Sequence, residues 1–211
     1  MSDLKELYHA VVEGDNPTVS EKIQSALDAG TQPGMILNDG MISAMAEVGR
    51  LFEEGEYFVP EMLLSARAMK TGLALLRPHL AKAHVESAGK VVIGTVQGDL
   101  HDIGKNLVAI MLEGAGFEII DLGTDITPEV FVKTAQDQKA DIIAMSALLT
   151  TTMPRMKETI TALETSGVRS SFKVMVGGAP VTEKYAHDIG ADGYSADASR
   201  VVAIAKDLIN R

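Results

Sequence analysis

Cysteine and tryptophan are both absent from this chain of 211 residues, and aromatic residues make up only 4% of it. Without cysteine the chain can form no disulfide and no zinc or iron–sulfur site with thiolate ligands. Uninterrupted apolar runs of about 18 residues are also missing, and the first residues are charged with no apolar core behind them. We therefore expect a cytoplasmic protein that neither spans a membrane nor carries an export signal.

Basic residues are scarce as well. The chain has 19 Lys and Arg against 29 Asp and Glu, which gives a formal net charge of −10 at pH 7. Nucleic acid and anionic membranes do not attract such a surface unless it carries a local basic patch, and no run of Lys or Arg occurs. We therefore expect neither a nucleic-acid partner nor a membrane partner.

The pattern of apolar residues changes once along the chain, after a polar stretch at residues 81–89 that is typical of a linker. Before it, apolar residues recur at steps of three and four, which predicts helices only. We expect four helices, the third beginning near Pro33 and the fourth at Pro60, packed as an antiparallel four-helix bundle in residues 1–88. On composition alone, the apolar residues between these two helices belong to the bundle core: Phe52, Tyr57, Phe58 and Val59.

Residues 89–211 alternate between strands and helices, which predicts a second domain of the α/β class. The expected architecture is a flavodoxin-like (Rossmann-type) five-stranded parallel sheet with helices on both faces. The predicted strands are Lys90–Val96, Phe117–Leu122, Asp141–Ala147, Lys173–Gly177 and Gly193–Ser195. The predicted helices lie near Ile103–Glu113, Pro128–Gln138, Met153–Ser166, Thr182–Ile189 and Ala198–Asn210.

The stretch 98–106, with the sequence GDLHDIGKN, lies between the first strand and the helix that follows it. In an open parallel sheet, loops at the carboxyl ends of strands form the crevice where ligands bind. Asp99 is close enough to His101 to accept a hydrogen bond from one ring nitrogen, which leaves the other nitrogen with its lone pair outward, as in a metal ligand. Two other interpretations stay open: a plain hydrogen bond within the loop, and a mononuclear metal hydrolase that uses Asp99, His101 and Asp102.

Three further loops follow strands at the same predicted edge of the sheet. The segment 146–152 is rich in hydroxyl groups that can donate to a polar ligand, although Thr152 is also placed to cap the next helix. Gly177 and Gly178 permit close approach to a bulky ligand, although a tight strand-to-helix turn would need them equally. The segment 192–198 is also rich in small residues. Together these loops predict a slot lined by small residues that lacks the glycine patterns of phosphate-binding and dinucleotide-binding sites.

Three motifs resemble those of the cobalamin-binding module of methionine synthase and of the small corrinoid proteins of methyltransferase systems. They are Asp-x-His-x-x-Gly, Ser-x-Leu and a paired glycine, carried here by Asp99, His101, Gly104, Ser146, Leu148, Gly177 and Gly178. The resemblance implies that cobalamin or a related corrinoid binds with its nucleotide tail in the sheet domain and with His101 as the lower axial ligand of cobalt. It implies that Asp99 orients His101. Thr152 stands where methionine synthase has a serine that extends this pair.

The same resemblance implies further contacts with the cofactor. Gly104 and Ser146 line the slot for the tail together with the paired glycine, and Leu148 and Thr150 touch the lower face of the corrin ring. The other expected contacts are Asp102, Ile103, Tyr194 and Ala196. The helical half resembles the family's cap, so that Phe52 and Val59 are expected to cover the upper corrin face instead of only packing in the bundle.

The function implied by this resemblance is that of a methyl carrier. We expect a corrinoid protein that carries a methyl group on cobalt between a substrate-specific methyltransferase and an acceptor methyltransferase, and not a self-sufficient enzyme. A reductive activase is a third expected partner. The alternative is a cobalamin-dependent sensor, which would need an output module that the sequence does not show.

Overall fold

The computed structural model describes residues 2–198 and 200–209, and they fold into two compact units. The first unit runs to Ser87 and includes Gly114–Gly116, and the second comprises Ala88–Glu113 and continues from Phe117. The predicted domain boundary, between residues 88 and 89, lies one residue beyond the end of the first unit's main segment.

The first unit contains the four predicted helical segments. They are α1 (Ser2–Glu13), α2 (Asn16–Asp28), a third segment made of α3 (Pro33–Met35), a π-helix (Ile36–Ile42) and α4 (Ser43–Glu53), and finally α5 (Val59–Lys82). Their apolar faces form a core in which eight of the buried side chains are Leu7, Val11, Ile23, Ile36, Met41, Met62, Met69 and Leu76. Helix α5 extends to Lys82, so that the linker begins two residues later than the sequence predicts.

Two local features of this unit differ from the prediction. The π-helix interrupts the third segment where Gly40 packs against α1. The approach is close, since a Cβ at Gly40 would lie 2.7 Å from Cδ2 of Leu7.

Phe58, expected in the core, is 65% exposed. The reason is its place before the first turn of α5, where the backbone is extended and the Phe58 N–H donates to Oε2 of Glu61 at 3.0 Å. Tyr57 is half-buried, and its hydroxyl donates to the carbonyl oxygen of Val12.

The second unit is built on a five-stranded sheet, and the predicted fold class is confirmed. Its strands are β1 (Lys90–Thr95), β2 (Glu118–Asp121), β3 (Ile142–Ser146), β4 (Lys173–Gly177) and β5 (Gly193–Ser195), all parallel and in the order β2-β1-β3-β4-β5. The helices are α6 (Ile103–Gly114), α7 (Pro128–Gln138), α8 (Pro154–Thr165), α9 (Glu183–Asp188) and α10 (Val201–Ile209), with a 3-10 turn at Arg169–Ser171. Of the last predicted helix, residues 199 and 210 lie outside the described part of the chain.

The strand order places two loops side by side. Strand β1 pairs with β2 on one side and with β3 on the other, and Thr95 at the end of β1 is in register with Ser146 at the end of β3. The strand order reverses at this point, because β2 follows β1 on one side while β3 lies on the other side. Open α/β sheets bind ligands where the strand order reverses in this way. The β1–α6 loop (Val96–Asp102) and the β3–α8 loop (Ala147–Met153) therefore meet at this point.

None of the helices in the described ranges has the length and apolar character needed to span a membrane. The cytoplasmic location stays a prediction.

Candidate functional site

A buried carboxylate, that of Asp99, lies at the centre of the two loops. Asp99 is 0% exposed, although the residues on either side of it are open to solvent. Its Oδ1 accepts hydrogen bonds from the backbone N–H and from Nδ1 of His101, at 3.1 and 2.7 Å. Its Oδ2 accepts from the N–H groups of Leu148 and Leu149, at 2.8 and 3.2 Å, and from Oγ1 of Thr152 at 2.8 Å. Five donors thus surround one carboxylate.

These donors keep Asp99 ionised. Burial by itself raises the pKa of a carboxyl group, because it removes water from the charged form. Here the hydrogen bonds from His101, Leu148 and Thr152 outweigh that effect and hold the pKa of Asp99 far below its usual range. The site therefore contains a negative charge at neutral pH.

The charge of Asp99 defines the state of the His101 ring. A carboxylate can only accept, so Nδ1 of a neutral His101 must carry the hydrogen, and Nε2 is left with its lone pair. The His101 side chain is 51% exposed, and within the described residues Nε2 has no hydrogen-bond partner. The predicted pairing of Asp99 with His101 is present, and its geometry leaves one imidazole nitrogen free to bind a metal.

Exposed apolar side chains flank this imidazole. Leu100 and Ile103 are 73% and 74% exposed, and Leu148 and Leu149 are each 42% exposed. Thr150 and Asp102 are also exposed, and Asp102 accepts a hydrogen bond from Nδ2 of Asn106. Apolar residues grouped around one polar group at the surface are typical of a ligand site.

Thr152 acts on Asp99 and does not cap the next helix. It is 7% exposed, and its single hydroxyl hydrogen can be given to Asp99 Oδ2 or to the carbonyl oxygen of Leu149 at 2.9 Å. Helix α8 has Met153 at its N-cap position and no side-chain capping bond. The capping interpretation is therefore wrong, because Asp99, 53 positions earlier in the chain, is the better acceptor.

The glycines of the site serve two different purposes. A Cβ at Gly178, where φ is +127°, would lie 2.0 Å from the carbonyl oxygen of Ala147, and a Cβ at Gly177 would lie 2.8 Å from that of Ser195. These two glycines are required by the close approach of neighbouring chain segments. At Gly104, in the first turn of α6, a Cβ would meet no other atom within 4 Å. Open space at a helical glycine leaves room for a bound molecule.

The remaining predicted contacts are spread over both units. Ser146 ends β3 and is half-buried, as is Tyr194 in β5, and Ala196 is exposed directly after that strand. Phe52 and Val59 are half-buried in the first unit, and their role against the upper corrin face stays a prediction.

Two residues that sequence reasoning did not single out connect the β1–α6 loop and the start of α6 to the β2 side of the sheet. Asp125 accepts from the Gly98 N–H at 2.7 Å and donates its own N–H to the Asp99 carbonyl oxygen at 3.1 Å. Lys105, with a side chain only 1% exposed, donates to both oxygens of Asp121. A lysine inside the GDLHDIGKN motif and an acidic residue after the second strand were the available signals.

The hydrolase interpretation finds no support in this geometry. No group of three His, Asp or Glu side chains suited to a metal ion occurs within residues 2–198 and 200–209. The carboxylate oxygens of Asp99 are already occupied by protein donors, so His101 is the one side chain of the proposed triad that has a free ligand atom and is held in place by a buried partner.

Known protein families match most of this chain. Residues 3–77 and 89–203 match two family models, each described as a B12 binding domain. A corrinoid protein of Desulfitobacterium hafniense is 45% identical over 100% of this chain and 99% of its own length. Dimethylamine corrinoid protein 3 of Methanosarcina acetivorans is 42% identical over 99% of this chain and 100% of its own length.

A solved structure shows the same fold. One chain of the methanol:cobalamin methyltransferase complex MtaBC of Methanosarcina barkeri superposes on this protein with a TM-score of 0.89 at 31% identity. The match covers 99% of this chain and 80% of the chain in the complex. The predicted resemblance and the predicted corrinoid cofactor are confirmed by these matches. The chain belongs to the family of B12-binding corrinoid proteins.

Proposed function

We propose that this protein carries a methyl group on the cobalt of a corrinoid, and that Nε2 of His101 would bind this cobalt. The observation that carries the residue assignment is the buried Asp99 carboxylate, which accepts from five donors and fixes an exposed imidazole with its Nε2 lone pair outward. When bound, the corrinoid supplies a cobalt atom that can accept a methyl group and give it up again.

The residues of the site fit such a cofactor. The exposed Leu148 and Leu149 and the flanking Ile103 offer an apolar surface to the lower face of a flat macrocycle. Gly104 leaves open space beside the imidazole, and Ser146 lies at the end of the adjoining strand. We assign the tail slot to these last two positions together with Gly177, Gly178, Tyr194 and Ala196.

The protein also determines where a proton goes when His101 is not bound to metal. Asp99 does not take it, because its hydrogen bonds hold the pKa of the carboxyl group far below its usual range. Nε2 of His101 is then the acceptor, and the resulting imidazolium still donates from Nδ1 to Asp99. Asp99 and Thr152 thus keep the ring in one orientation in both states.

The partners we propose are proteins that load and unload the methyl group. The relatives are named for dimethylamine and methanol systems, so a methyltransferase acting on a methylamine or on methanol is the proposed donor enzyme. A second methyltransferase transfers the methyl group to its acceptor. A reductive activase reduces any cofactor that has become oxidised. Incubation of the holoprotein, first reduced to the cobalt(I) state with titanium(III) citrate, with the methyltransferase of either system and its 14C-labelled substrate tests this step. The proposal predicts protein-bound label, and label that stays with the substrate in both systems would contradict it.

Reconstitution tests the assignment of the ligand. The purified protein is mixed with hydroxocobalamin, desalted, and its absorption spectrum recorded for the parent, for His101→Ala and for His187→Ala. His187 is a suitable control because its side chain is 90% exposed in α9. We expect a coloured protein in all three cases, with loss of nitrogen coordination only in His101→Ala. A colourless parent, or a His101→Ala spectrum identical to that of the parent, would contradict the proposal.

A further inference from the structure

The β1–α6 loop is fixed from two sides, and only one of them belongs to the relay of Thr152, Asp99 and His101. On the β3 side, Thr152 and two backbone N–H groups bind the Asp99 carboxylate. On the β2 side, Asp125 binds the backbone at two points, Gly98 N–H and the carbonyl oxygen of Asp99. Its Oδ1 accepts from Gly98 N–H, one residue before Asp99, and its N–H donates to the Asp99 carbonyl oxygen.

The backbone at Asp125 is unusual. Its φ is +59°, in the left-handed region that non-glycine residues rarely adopt. Such conformations persist when surrounding contacts determine them, and they cluster at functional sites. Here the left-handed turn brings the N–H and the carboxylate of one residue to the same side, where both reach the neighbouring loop.

A small shift of the β1–α6 loop would change the direction of the His101 imidazole. The Asp99 carboxylate contacts both the N–H and Nδ1 of His101, so the direction of the imidazole depends on where the Asp99 backbone lies. Side chains that bind a metal are themselves held by hydrogen bonds from residues that do not touch the metal. Losing one of these residues weakens the metal site. We propose that Asp125 is a positioning residue, which holds Asp99 so that Nε2 of His101 is directed at cobalt. This inference rests on the proposed function of His101.

Three substitutions at Asp125 separate the hydrogen bond from the backbone conformation. Asp125→Asn keeps an acceptor oxygen and tolerates positive φ. Asp125→Gly tolerates positive φ but loses the acceptor, and Asp125→Ala loses both. If the acceptor matters, Ala and Gly behave alike and Asn restores the parent behaviour. If only the strained backbone matters, Gly behaves like the parent.

Asp141 provides a matched control at the start of β1, the end opposite to the β1–α6 loop. Its Oδ2 accepts from the Lys90 N–H at 2.7 Å, which is the same kind of bond at the same length as that between Asp125 and Gly98. Asp141→Ala therefore loosens β1 where it begins, far from His101. It should lower the unfolding midpoint through the loss of one hydrogen bond, without affecting the imidazole.

The experiment measures the imidazole in two ways. In the apoprotein, 15N-detected histidine spectra show which ring nitrogen of His101 carries the hydrogen. In the holoprotein reduced to cobalt(II), an acid titration of the absorption spectrum gives the pH at which half of the molecules lose histidine coordination. A merely structural role would change the unfolding midpoint and neither of these readouts.

We expect the parent, Asp125→Asn and Asp141→Ala to share the Nδ1–H form and the same titration midpoint. For Asp125→Ala and Asp125→Gly we expect a mixture of ring forms and weaker coordination by about fivefold, the equivalent of one hydrogen bond. The titration midpoint then moves up by about 0.7 pH unit. Midpoints equal to that of the parent in both variants would overturn this inference alone. If the parent itself titrates like His101→Ala, the proposed function fails instead.

Discussion

Replacement of Asp99 by asparagine is the most informative single perturbation of the site, because it removes the charge and keeps the shape. An amide has one acceptor oxygen and one NH₂ group in place of two acceptors. Whichever way it turns, the NH₂ group faces at least one backbone N–H that now donates to Asp99, from His101 on one side or from Leu148 and Leu149 on the other. If it faces His101, the imidazole must also move its hydrogen to Nε2, which removes the metal-binding lone pair.

The expected cost follows from these contacts. Hydrogen bonds to charged groups contribute more than neutral ones, and a buried donor without an acceptor is unfavourable, so we expect Asp99→Asn to lower the free energy of unfolding by about 2 to 3 kcal/mol at pH 7. The effect must depend on pH. Because the pKa of Asp99 is lowered in the folded protein, its contribution is fully present above the unfolded pKa of about 4 and is lost as the pH falls below it. The difference in the free energy of unfolding between parent and variant should therefore shrink by about 1.4 kcal/mol for each pH unit below the unfolded pKa.

Urea unfolding of the apoprotein, followed by circular dichroism between pH 3 and pH 7, measures both effects. Asp102→Asn is the control, because Asp102 is exposed and its side chain accepts only from the Asn106 amide among the described contacts. It should stay within about 0.5 kcal/mol of the parent at neutral pH. A gap for Asp99→Asn that is below 1 kcal/mol at pH 7, or that does not change with pH, would refute the reasoning.

Three further predictions use the same unfolding assay. Thr152→Val loses the donor to Asp99 and should cost about 1.5 kcal/mol, whereas Thr152→Ser loses only a methyl group, about 0.8 kcal/mol; the opposite order would count against the relay. Asp121→Ala leaves the buried Lys105 ammonium without its counter-ion and should cost about 3 kcal/mol. Lys105→Met should cost less, because it removes the buried charge, and equal costs would contradict this. Gly104→Ala should stabilise the apoprotein by up to about 1 kcal/mol and weaken hydroxocobalamin binding in equilibrium dialysis; unchanged affinity would mean that the space above Gly104 is not used.

The sheet could be predicted closely because its signals are local. Strand β4 is predicted and observed at Lys173–Gly177, and β1 differs by one residue, since each is a short apolar run that ends at small or polar residues. The strand order then places the loops after β1 and β3 side by side. The motif around His101 could be located from sequence because its partner Asp99 is only two positions away.

The features that sequence reasoning missed depend on contacts between distant parts of the chain. Asp125 meets Gly98 across 27 positions and Lys105 meets Asp121 across 16, and neither pair has a periodicity that would reveal it. For Thr152 the sequence offers two roles, because a hydroxyl before Pro154 is locally suited to capping while the resemblance implies a role beside Asp99, and the fold shows that its hydroxyl lies against Asp99. The π-helix is likewise invisible in an apolar pattern that suits an α-helix equally.

One measurement tests the central claim most directly. The protein is produced with 15N-labelled histidine, loaded with cobalamin, reduced to cobalt(II) and examined by electron paramagnetic resonance. The claim that Nε2 of His101 binds cobalt predicts a two-line nitrogen splitting from 15N, which disappears in His101→Ala. A three-line splitting in the labelled parent would show that unlabelled nitrogen of the cofactor's own base binds instead, and would contradict the account.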